Sequence, residues 1–272
     1  MLELIVDEAQ SLKEFTENNY AQGSFFWSQL LKNKDIKVNG KKIGENVFLA
    51  KGDIVAYYWP KKQEEKAAFY TVYEEENILI VDKESGVNSE AVFAALKRRG
   101  EYYFVHRLDR NTKGLLAFAK TPECNQELLT AFRERTATKR YHALCFGKIK
   151  QKEGLLTAYL KKDSIRSLVA VFDTPVSGSE KILTGYRVLN ETVETCLLEV
   201  DLHTGKTHQI RAHLAHIGLP VVGDMKSGNT EKNRALSATR QCLVAKYLRF
   251  SFQGKFAYLN EKEFVSRVET KI

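Results

Sequence analysis

Residues 103–119 read YFVHRLDRNTKGLLAFA, and this stretch places two apolar segments on either side of a polar loop. Tyr103 to Val105 and Leu115 to Ala119 are rich in the aromatic and aliphatic residues that favour strands. The loop between them carries Asp109, which taken alone is most often a turn former or part of a surface ion pair. We therefore predict a strand, a polar loop with Asp109 at the strand end, and a second strand.

The segments around this stretch indicate an α+β fold. Apolar runs, continuous or alternating, predict strands, and a three- to four-residue period predicts helices. The further strands are predicted at residues 78–81, 141–145, 155–159, 168–172, 184–189 and 196–202, and the helices at 89–98, from 121 onward and from 207 to 218. Because alternation is typical of half-solvated antiparallel strands, we expect a mixed, largely antiparallel sheet.

The first 65 residues follow a different pattern and predict a small α/β-hairpin domain. Two short helices are expected within the first 33 residues, where apolar side chains recur every three to four positions. Asn39-Gly40 predicts a tight hairpin because both central residues of a type I′ turn need positive φ, and a strand follows at 53–58. We place the domain boundary between residues 65 and 66, after the charged stretch that follows Trp59-Pro60.

The charge distribution predicts a polyanion as partner. The chain has 272 residues and a formal net charge of +8. Residues 32–62 hold eight Lys against three acidic residues, and residues 97–150 hold thirteen Lys and Arg against five. Two such basic regions favour binding to RNA or DNA through phosphate contacts.

Several other classes of protein are disfavoured. The longest apolar runs have about five residues, far fewer than the roughly 20 that span a bilayer, so we expect no membrane contact. The acidic N-terminus is unlike a secretory signal, so we expect a cytoplasmic location. The four cysteines lack close spacing and are expected to be reduced core thiols. Thr204-Gly-Lys-Thr207 is not a phosphate loop, because Val200 stands where the first glycine would be.

The segment 203–216 contains four histidines, but no H-E-x-x-H pair is present and no Cys or Asp completes a ligand set, so we expect no metal. The predicted helix in this segment carries His208 and Arg211 three residues apart, on a face separate from its apolar stripe. That face is where a site is expected.

Four motifs in chain order resemble the signature segments of one protein family. His106-Arg-Leu-Asp-Arg-Asn-Thr-Lys-Gly114 resembles H-R-L-D-x-x-T-S-G, and Lys139-Arg-Tyr-His-Ala-Leu144 resembles K-x-Y-x-A-L. Thr204-Gly-Lys-Thr-His-Gln-Ile-Arg211 with Gly223-Asp224 resembles T-G-R-x-H-Q-I-R followed by G-D, and Arg240-Gln-Cys-Leu-Val-Ala245 resembles R-Q-x-L-x-A. Together these segments resemble those of the RluA-type pseudouridine synthases. The departures from this pattern are Glu84 for Pro, Lys113 for Ser, Lys206 for Arg, Ser227 for an aromatic residue and a C-terminal Phe250-Ser-Phe-Gln.

The N-terminal segment resembles an S4 RNA-binding domain. The resemblance rests on two helices, the basic stretch LKNKDIKVNGKK at 31–42 and KGDIV at 51–55. It implies an S4-like domain over residues 1–65 and a catalytic domain over residues 66–272. The RNA contacts that it implies are Lys32, Lys34, Lys37, Lys41 and Lys42; a basic hairpin that is merely solvated is the alternative.

The resemblance implies that the chain isomerises uridine to pseudouridine in structured RNA, with ribosomal RNA favoured over transfer RNA, as a monomer and without a cofactor. It implies Asp109, Tyr141 and Arg211 as catalytic residues and Arg107, Gln209 and Leu243 as substrate contacts. Attack on C1′, attack on uracil C6 and deprotonation of C2′ are all compatible with a carboxylate at Asp109. Because the base must leave its stack, Arg107 is expected to fill the vacated position.

Two other functions remain as alternatives. The first is a non-catalytic RNA-binding protein with an assembly or regulatory role on the same scaffold, which the presence of Asp109, Tyr141 and Arg211 disfavours. The second is an RNA-directed hydrolase that uses Asp109, for which the second carboxylate or the metal expected of such chemistry is lacking.

Overall fold

A computed structural model describes residues 1–58, 67–163 and 168–270. The chain divides into a first unit, Met1–Tyr70 with Gly86–Tyr102, and a second unit, Thr71–Ser85 with Tyr103–Ile272. The predicted boundary between residues 65 and 66 lies outside the described residues. Within those residues, no helix is both long and apolar enough to cross a membrane.

The first unit combines helices with short strands. Its helices are α1 (Leu12–Asn19), α2 (Ala21–Asn33) and α3 (Ser89–Lys97), as the apolar periodicity predicts. Its strands are β1 (Leu2–Ile5), β2 (Gln10–Ser11), β3 (Ile36–Val38), β4 (Lys41–Ile43), β5 (Phe48–Leu49) and β6 (Ile54–Tyr57). Strands β1, β6, β3 and β4 form an antiparallel sheet in that order, and β2 pairs with β5.

The hairpin of β3 and β4 turns at Asn39 and Gly40, which confirms the prediction. Both residues have positive φ, 49° and 79°, as a two-residue type I′ turn requires. The Asn39 side chain also ties the turn to β6: its Nδ2 donates to Asp53 Oδ1 and its Oδ1 accepts from the Ile54 N–H, each at 2.9 Å. The basic residues of the hairpin are therefore carried on a locally fixed turn.

The second unit is built on one large sheet. Its strands are β7 (Phe69–Glu74), which starts at the unit boundary, β8 (Ile78–Lys83), β9 (Tyr103–Phe104), β10 (Lys113–Ala119), β11 (Thr138–Phe146), β12 (Glu153–Asp163), β13 (Leu168–Phe172), β14 (Glu180–Glu191), β15 (Thr195–Leu202), β16 (Leu243–Arg249) and β17 (Glu263–Val265). Its helices are α4 (Pro122–Arg133), α5 (Gln209–His216), α6 (Thr230–Ala235) and a 3-10 helix at Gly254–Leu259.

The sheet is mixed and largely antiparallel, as predicted. Its strand order is β13-β12-β14-β15-β11-β16-β10-β8-β7, with β9 added to β10 and β17 to β16. Strands β10 and β16 run parallel, whereas the other pairs with a described register are antiparallel. This parallel contact brings the segment after the Asp109 loop beside the segment that starts at Leu243.

Gly114 makes the parallel contact possible. Its φ is +105°, and a Cβ atom at this position would lie 2.3 Å from the backbone oxygen of Ala245. Real Cβ atoms do not approach this closely, so a larger residue would push β10 and β16 apart. The last residue of the H-R-L-D-x-x-T-S-G-like motif is therefore required by backbone packing.

The main core of the second unit lies between the sheet and α4. Ile78, Ile80 and Ala117 from the sheet and Cys124 and Leu128 from α4 are fully buried in one apolar cluster. Helix α4 begins as predicted, with the Thr121 hydroxyl accepting a hydrogen bond from the Cys124 N–H at 3.3 Å and Pro122 in the first turn. This core supports strands β9 and β10, which the Asp109 loop connects.

Helix α5 is shorter than predicted. The start was expected near Thr207, and the helix begins at Gln209, because His208 has a left-handed backbone (φ 56°, ψ 19°) and is the N-cap residue. Gly218, with φ +81°, follows the end of the helix as expected of a C-terminal glycine. His208 and Arg211 still meet, although one is a cap residue and the other lies in the helix.

Candidate active site

The loop that carries Asp109 is fixed at both of its ends. On one side, the Nε2 atom of His106 accepts a hydrogen bond from the Ala117 N–H at 3.0 Å, and its ring stacks on Phe132 at 4.3 Å between centroids. On the other side, the buried ammonium group of Lys83 donates to the carbonyl oxygen of Arg110 at 3.1 Å. The backbone on either side of Asp109 is thus anchored to strands β10 and β8.

His106 is neutral in this position. Burial, with a smaller contribution from the positive charge of Lys139, lowers the pKa of His106 to about 3. Because Nε2 accepts the Ala117 N–H, the proton of the neutral ring lies on Nδ1. The first residue of the motif therefore acts as a structural anchor for the loop.

The third anchor joins two motifs that are far apart in sequence. Gln241 Nε2 donates to Thr112 Oγ1 at 3.0 Å in a buried contact, and the Thr112 N–H donates to the carbonyl oxygen of Asp109 at 3.0 Å. A buried amide–hydroxyl pair of this kind fixes both partners, because leaving either one unsatisfied is costly. The loop around Asp109 and the segment before Leu243 are therefore held in register.

Asp109 meets α5 at its first turn. Its Oδ2 atom lies 2.8 Å from His208 Nδ1 and 3.0 Å from Arg211 Nη1. The side chain of Asp109 is 23% exposed and that of Arg211 is 6% exposed, so the carboxylate remains accessible while its cationic partner is buried. The structure thus brings together the Asp and Arg that the sequence analysis selected from different motifs.

Arg211 also binds a second carboxylate, that of Asp224. Its Nε and Nη2 atoms donate to Asp224 Oδ2 and Oδ1 at 2.9 and 2.7 Å, which forms a two-pronged pair. The Asp224 side chain is 1% exposed, and its Oδ1 also accepts from the backbone N–H groups of Lys226 and Ser227. The guanidinium plane is therefore fixed by Asp224, with Nη1 left to face Asp109.

The backbone around Asp224 is tightly built. Gly223 has φ +75°, and a Cβ atom there would lie 1.9 Å from the carbonyl oxygen of Arg240. Asn233 of α6 accepts from the Gly223 N–H at 2.7 Å and donates to the Asp224 carbonyl oxygen at 3.1 Å. The Gly223-Asp224 pair belongs to a motif of the resembled family, but its role was not predicted, because Arg211 and Asn233 lie on separate helices that only the fold brings to it.

The charges of this network favour ionised carboxylates. Burial would raise the pKa of Asp109, but the hydrogen bonds and positive charges of His208 and Arg211 outweigh it and hold the pKa below its ordinary value of 3.8. Burial likewise opposes ionisation of Asp224, and Arg211 with the Lys226 and Ser227 N–H groups lowers its pKa. Asp109 is thus a carboxylate at neutral pH, and it can act as a nucleophile or stabilise positive charge.

His208 adds a third partner for Asp109. Its Nδ1 lies 2.8 Å from Asp109 Oδ2 and 2.9 Å from Arg211 Nη1. A carboxylate only accepts hydrogen bonds, so His208 binds Asp109 in the tautomer that carries a proton on Nδ1. The Arg211 guanidinium also only donates, so its approach to the same nitrogen is a close contact and not a second hydrogen bond. His208 therefore donates to Asp109, a role that its three-residue spacing from Arg211 hinted at but that the sequence analysis did not assign.

Tyr141 lies in β11 at an irregularity of the sheet. The register between β11 and β16 shifts between Arg140 and Tyr141, and the Tyr141 side chain is buried. Burial, followed by the negative charge of Asp109, raises the pKa of the Tyr141 phenol well above its usual range. The hydroxyl is therefore protonated at neutral pH and lies within electrostatic reach of Asp109.

The predicted substrate contacts differ in their surroundings. Leu243 is buried at the start of β16, beside Ala143 of β11, and Arg107 is exposed on the Asp109 loop. Gln209 is 2% exposed, and its amide contacts Thr204 at 2.8 Å and Leu183 at 3.0 Å, which supports the loop before α5. Substrate contact by these three residues stays a prediction.

The predicted RNA-binding lysines lie at the end of α2 and on the β3–β4 hairpin of the first unit. Lys32, Lys34, Lys41 and Lys42 are exposed. Lys37 is half-buried, with its ammonium group 4.7 Å from the centroid of the Tyr58 ring. Four of the five positive charges are therefore presented to solvent, where phosphate groups can reach them; their contact with RNA stays a prediction.

Two departures from the resembled pattern occur as a pair. Lys113 Nζ lies 3.2 Å from Glu84 Oε2, and each side chain is 24% exposed. A third departure, Lys206, pairs with Glu180. Glu84 and Lys113, which replace the Pro and Ser of the pattern, carry opposite charges and form an ion pair at the ends of β8 and β10. Each charge is therefore balanced locally, and neither residue contacts the Asp109 carboxylate in the pairs described above.

The histidines of the segment 203–216 contact other side chains of the protein. His213 is buried, with its Nδ1 2.9 Å from Thr184 Oγ1, and burial lowers its pKa to about 4. Across residues 1–58, 67–163 and 168–270, no three His, Cys, Asp or Glu side chains converge in an arrangement that could hold a metal ion.

Comparison with known proteins identifies the family. A family model described as RNA pseudouridylate synthase matches residues 77–216, which include the Asp109 loop, Tyr141 and Arg211. The chain therefore belongs to the RNA pseudouridylate synthase family and is an isomerase that acts on RNA. This assignment favours the enzyme over the non-catalytic RNA-binding alternative.

Individual relatives agree with this assignment. The chain is 29% identical over 272 residues to the ribosomal large subunit pseudouridine synthase C of Rickettsia felis, covering 86% of this chain and 89% of that protein. It is 31% identical over 206 residues to the tRNA pseudouridine synthase C of Vibrio cholerae, covering 66% and 84%. Among solved structures, human RNA pseudouridylate synthase domain containing 1 is similar with a TM-score of 0.61 and 27% identity, over 68% of this chain and 79% of that one.

Replacing Asp224 tests the network behind the site. Asp224→Ala should lower the free energy of unfolding by about 3–5 kcal/mol, because it leaves the buried Arg211 with one carboxylate and two backbone N–H groups without their acceptor. Since the pKa of Asp224 is below 3.8 in the folded protein, this contribution is complete above that pH and is lost as the pH falls through the lower value. Urea unfolding at pH 7 measures it.

The matched control is Asp173→Ala, which removes an 88% exposed carboxylate paired with His216 in the same unit. It should cost no more than about 1 kcal/mol. Asp224→Asn, which keeps the shape of the side chain, serves if the alanine variant does not fold. Equal losses for the Asp224 and Asp173 variants would contradict the network described here.

Proposed function

We propose that this chain isomerises specific uridines of ribosomal RNA to pseudouridine, with Asp109 as the catalytic carboxylate. The observation that carries the proposal is the ionised Asp109, accessible to solvent and held by His208 and by Arg211, which is itself fixed by the buried Asp224. Ribosomal RNA is favoured over transfer RNA because of coverage. The Rickettsia felis relative named for the large ribosomal subunit matches 86% of this chain, whereas the Vibrio cholerae relative named for tRNA matches 66%.

The reaction is an isomerisation that needs no cofactor. The bond between N1 of uracil and C1′ of the ribose breaks, the base turns, and a bond forms between C5 and C1′. C5 loses its proton and N1 gains one, so atoms and electrons balance within the nucleotide and its surroundings. The protein must supply a charge or nucleophile beside the sugar, hold the detached base and move one proton.

Asp109 suits the first task because its pKa is held low while its side chain stays accessible. A fixed carboxylate can bond covalently to the substrate or stabilise positive charge on the ribose. His208 and Arg211 keep it oriented, since both donate to the same oxygen, Oδ2. The other oxygen, Oδ1, is the atom that we assign to the substrate.

Tyr141 and Leu243 suit the second task. They lie in the neighbouring strands β11 and β16, and both side chains are mostly buried. They can therefore form an apolar surface against which uracil packs. We assign to the Tyr141 hydroxyl, which carries its proton at neutral pH, the relay of the C5 proton: its oxygen accepts that proton while its own proton passes on towards N1, which gains one. Because the base must leave its helix to reach them, the exposed Arg107 is assigned to the vacated position.

We further propose that residues 1–65 form an S4-like domain that anchors the RNA, and that residues 66–272 form the catalytic domain. The exposed lysines of α2 and of the β3–β4 hairpin support this assignment. The enzyme is proposed to work as a cytoplasmic monomer and without a metal ion.

The direct test of the catalytic carboxylate is Asp109→Asn. The variant should form no pseudouridine in ribosomal RNA taken from cells that lack the gene, because the amide is neither a nucleophile nor a charge. Its RNA affinity should stay within about threefold, a change of less than 1 kcal/mol, because the side chain keeps its size. Pseudouridine mapping and equilibrium RNA binding measure the two properties.

Asp7→Asn, which removes an exposed carboxylate from the first unit, is the control and should modify the RNA at the unaltered rate. Modification of the same positions by Asp109→Asn would overturn the catalytic assignment. Modification of transfer RNA alone by the unaltered protein would overturn the proposed substrate but leave the chemistry in place.

The RNA anchor is tested by Lys41→Gln combined with Lys42→Gln. This double variant should bind RNA more weakly and with a shallower salt dependence, since each lost phosphate contact reduces the log–log slope by about 0.7 to 0.9. The control is Lys181→Gln with Lys255→Gln, which removes two exposed charges from the second unit. Equal slopes for the hairpin variant and the unaltered protein would show that the hairpin does not contact phosphates.

A further inference from the structure

A cavity of about 300 Å³ opens beside the site, between β13 and α5. Val169 and Val171 of β13 form one wall, and Ala212 and Ala215 of α5 form the facing wall. This volume lies at the small end of the roughly 300–1,000 Å³ range of pockets that bind small ligands. It is suited to a single ring system held between two apolar surfaces.

The cavity adjoins the candidate catalytic carboxylate through one side chain. His208 lines the cavity, and its Nδ1 lies 2.8 Å from Asp109 Oδ2. One imidazole ring therefore separates the cavity from the carboxylate. The residues that we assign to the target uracil, Tyr141 and Leu243, do not line it. A nucleotide whose ribose lies at Asp109 thus has its neighbours in the chain close to this opening.

The polar rim of the cavity matches the edge of a nucleobase. Ser227 and His216 supply hydroxyl and imidazole groups, and the exposed Lys226 adds a positive charge at the rim. A planar base would place its apolar faces against the walls and its hydrogen-bonding edge against Ser227, with its phosphate near Lys226. Apolar walls with a few placed polar groups are the usual composition of such sites.

The cavity depends on the small side chain at position 227. The resembled family pattern has an aromatic residue at this position, whereas this chain has Ser227. The backbone N–H of Ser227 donates to Asp224 Oδ1 at 3.3 Å, which fixes residue 227 relative to the Arg211 network. A large ring at this position would occupy the space that Ser227 leaves open.

We propose that this cavity receives the base of a nucleotide adjacent to the target uridine and thereby helps to select which uridine is modified. The proposal rests on the proposed function, since it requires that the target ribose lie at Asp109. It assigns to Ser227 and to the α5 face at Ala215 a part in substrate choice that is separate from the chemistry.

The experiment uses RNA hairpins with a fixed uridine in the loop and random bases at every other loop position. The unaltered protein, Ser227→Tyr and Ala215→Phe each select RNA from this pool, and sequencing gives the bases enriched at each position. The two variants fill the cavity from different walls. The matched control is Met225→Tyr, which adds the same ring at a 65% exposed position two residues away. Thermal unfolding verifies that each variant folds.

We expect the unaltered protein and Met225→Tyr to enrich one base at a position next to the fixed uridine. Ser227→Tyr and Ala215→Phe should reduce that preference at least about tenfold, equivalent to about 1.4 kcal/mol. No preference in the unaltered protein, or the same preference in the filled variants, would overturn the proposal. Pseudouridine in the selected RNA is scored separately, so enrichment without modification would count against the proposed function and not against the cavity.

Discussion

The guanidinium group of Arg211 is shared by two carboxylates, and the site depends on this sharing. Asp224 occupies the Nε and Nη2 edge, which fixes the plane of the group, and Nη1 is then directed at Asp109. A flexible cation could neutralise Asp109 but could not orient it. Because Asp224 is buried, it holds the guanidinium group in place from the protein interior. Because Asp109 is accessible, its carboxylate can be reached by the substrate.

The rest of the second unit positions the parts of this network. The parallel contact of β10 with β16 at Gly114 and the Thr112–Gln241 hydrogen bond join the Asp109 loop to the segment of Leu243. His106 and Lys83 hold the loop itself. Four motifs that are distant in sequence therefore meet at one place. Glycines and amides among these motifs therefore contribute to the geometry together with the charged residues.

Much of the fold could be predicted because its signals are local. The Asn39-Gly40 turn, the start of α4 at Thr121 and the end of α5 before Gly218 each depend on residues within a few positions. That Asp109 and Arg211 belong to one site was expected from the resemblance, which implies both as catalytic residues, together with the position of Arg211 on a helix face. The exact start of α5 was missed, because a left-handed backbone at His208 is not a signal that a His residue carries.

Features that depend on long-range contacts could not be read from the sequence. Strand β16 was not predicted as a strand, since Lys246 interrupts its apolar run; in the fold this lysine is buried, with its ammonium group bound to the Ser266 and Val268 carbonyl oxygens. The role of Asp224 and the pairing of Glu84 with Lys113 have the same origin. In each case a partner lies on another helix, strand or loop, and only the folded chain brings the two together.

The most direct measurement is the single-turnover rate of Arg211→Lys and Arg211→Ala at saturating RNA. The control is Arg187→Lys, which changes a side chain that is 57% exposed. The shared guanidinium predicts that both Arg211 variants lose far more than tenfold in rate, since one ammonium group cannot serve two carboxylates in fixed geometry. The Arg187 variant should retain the unaltered rate. A rate for Arg211→Ala within about tenfold of the unaltered protein, only about 1.4 kcal/mol of barrier, would contradict the account.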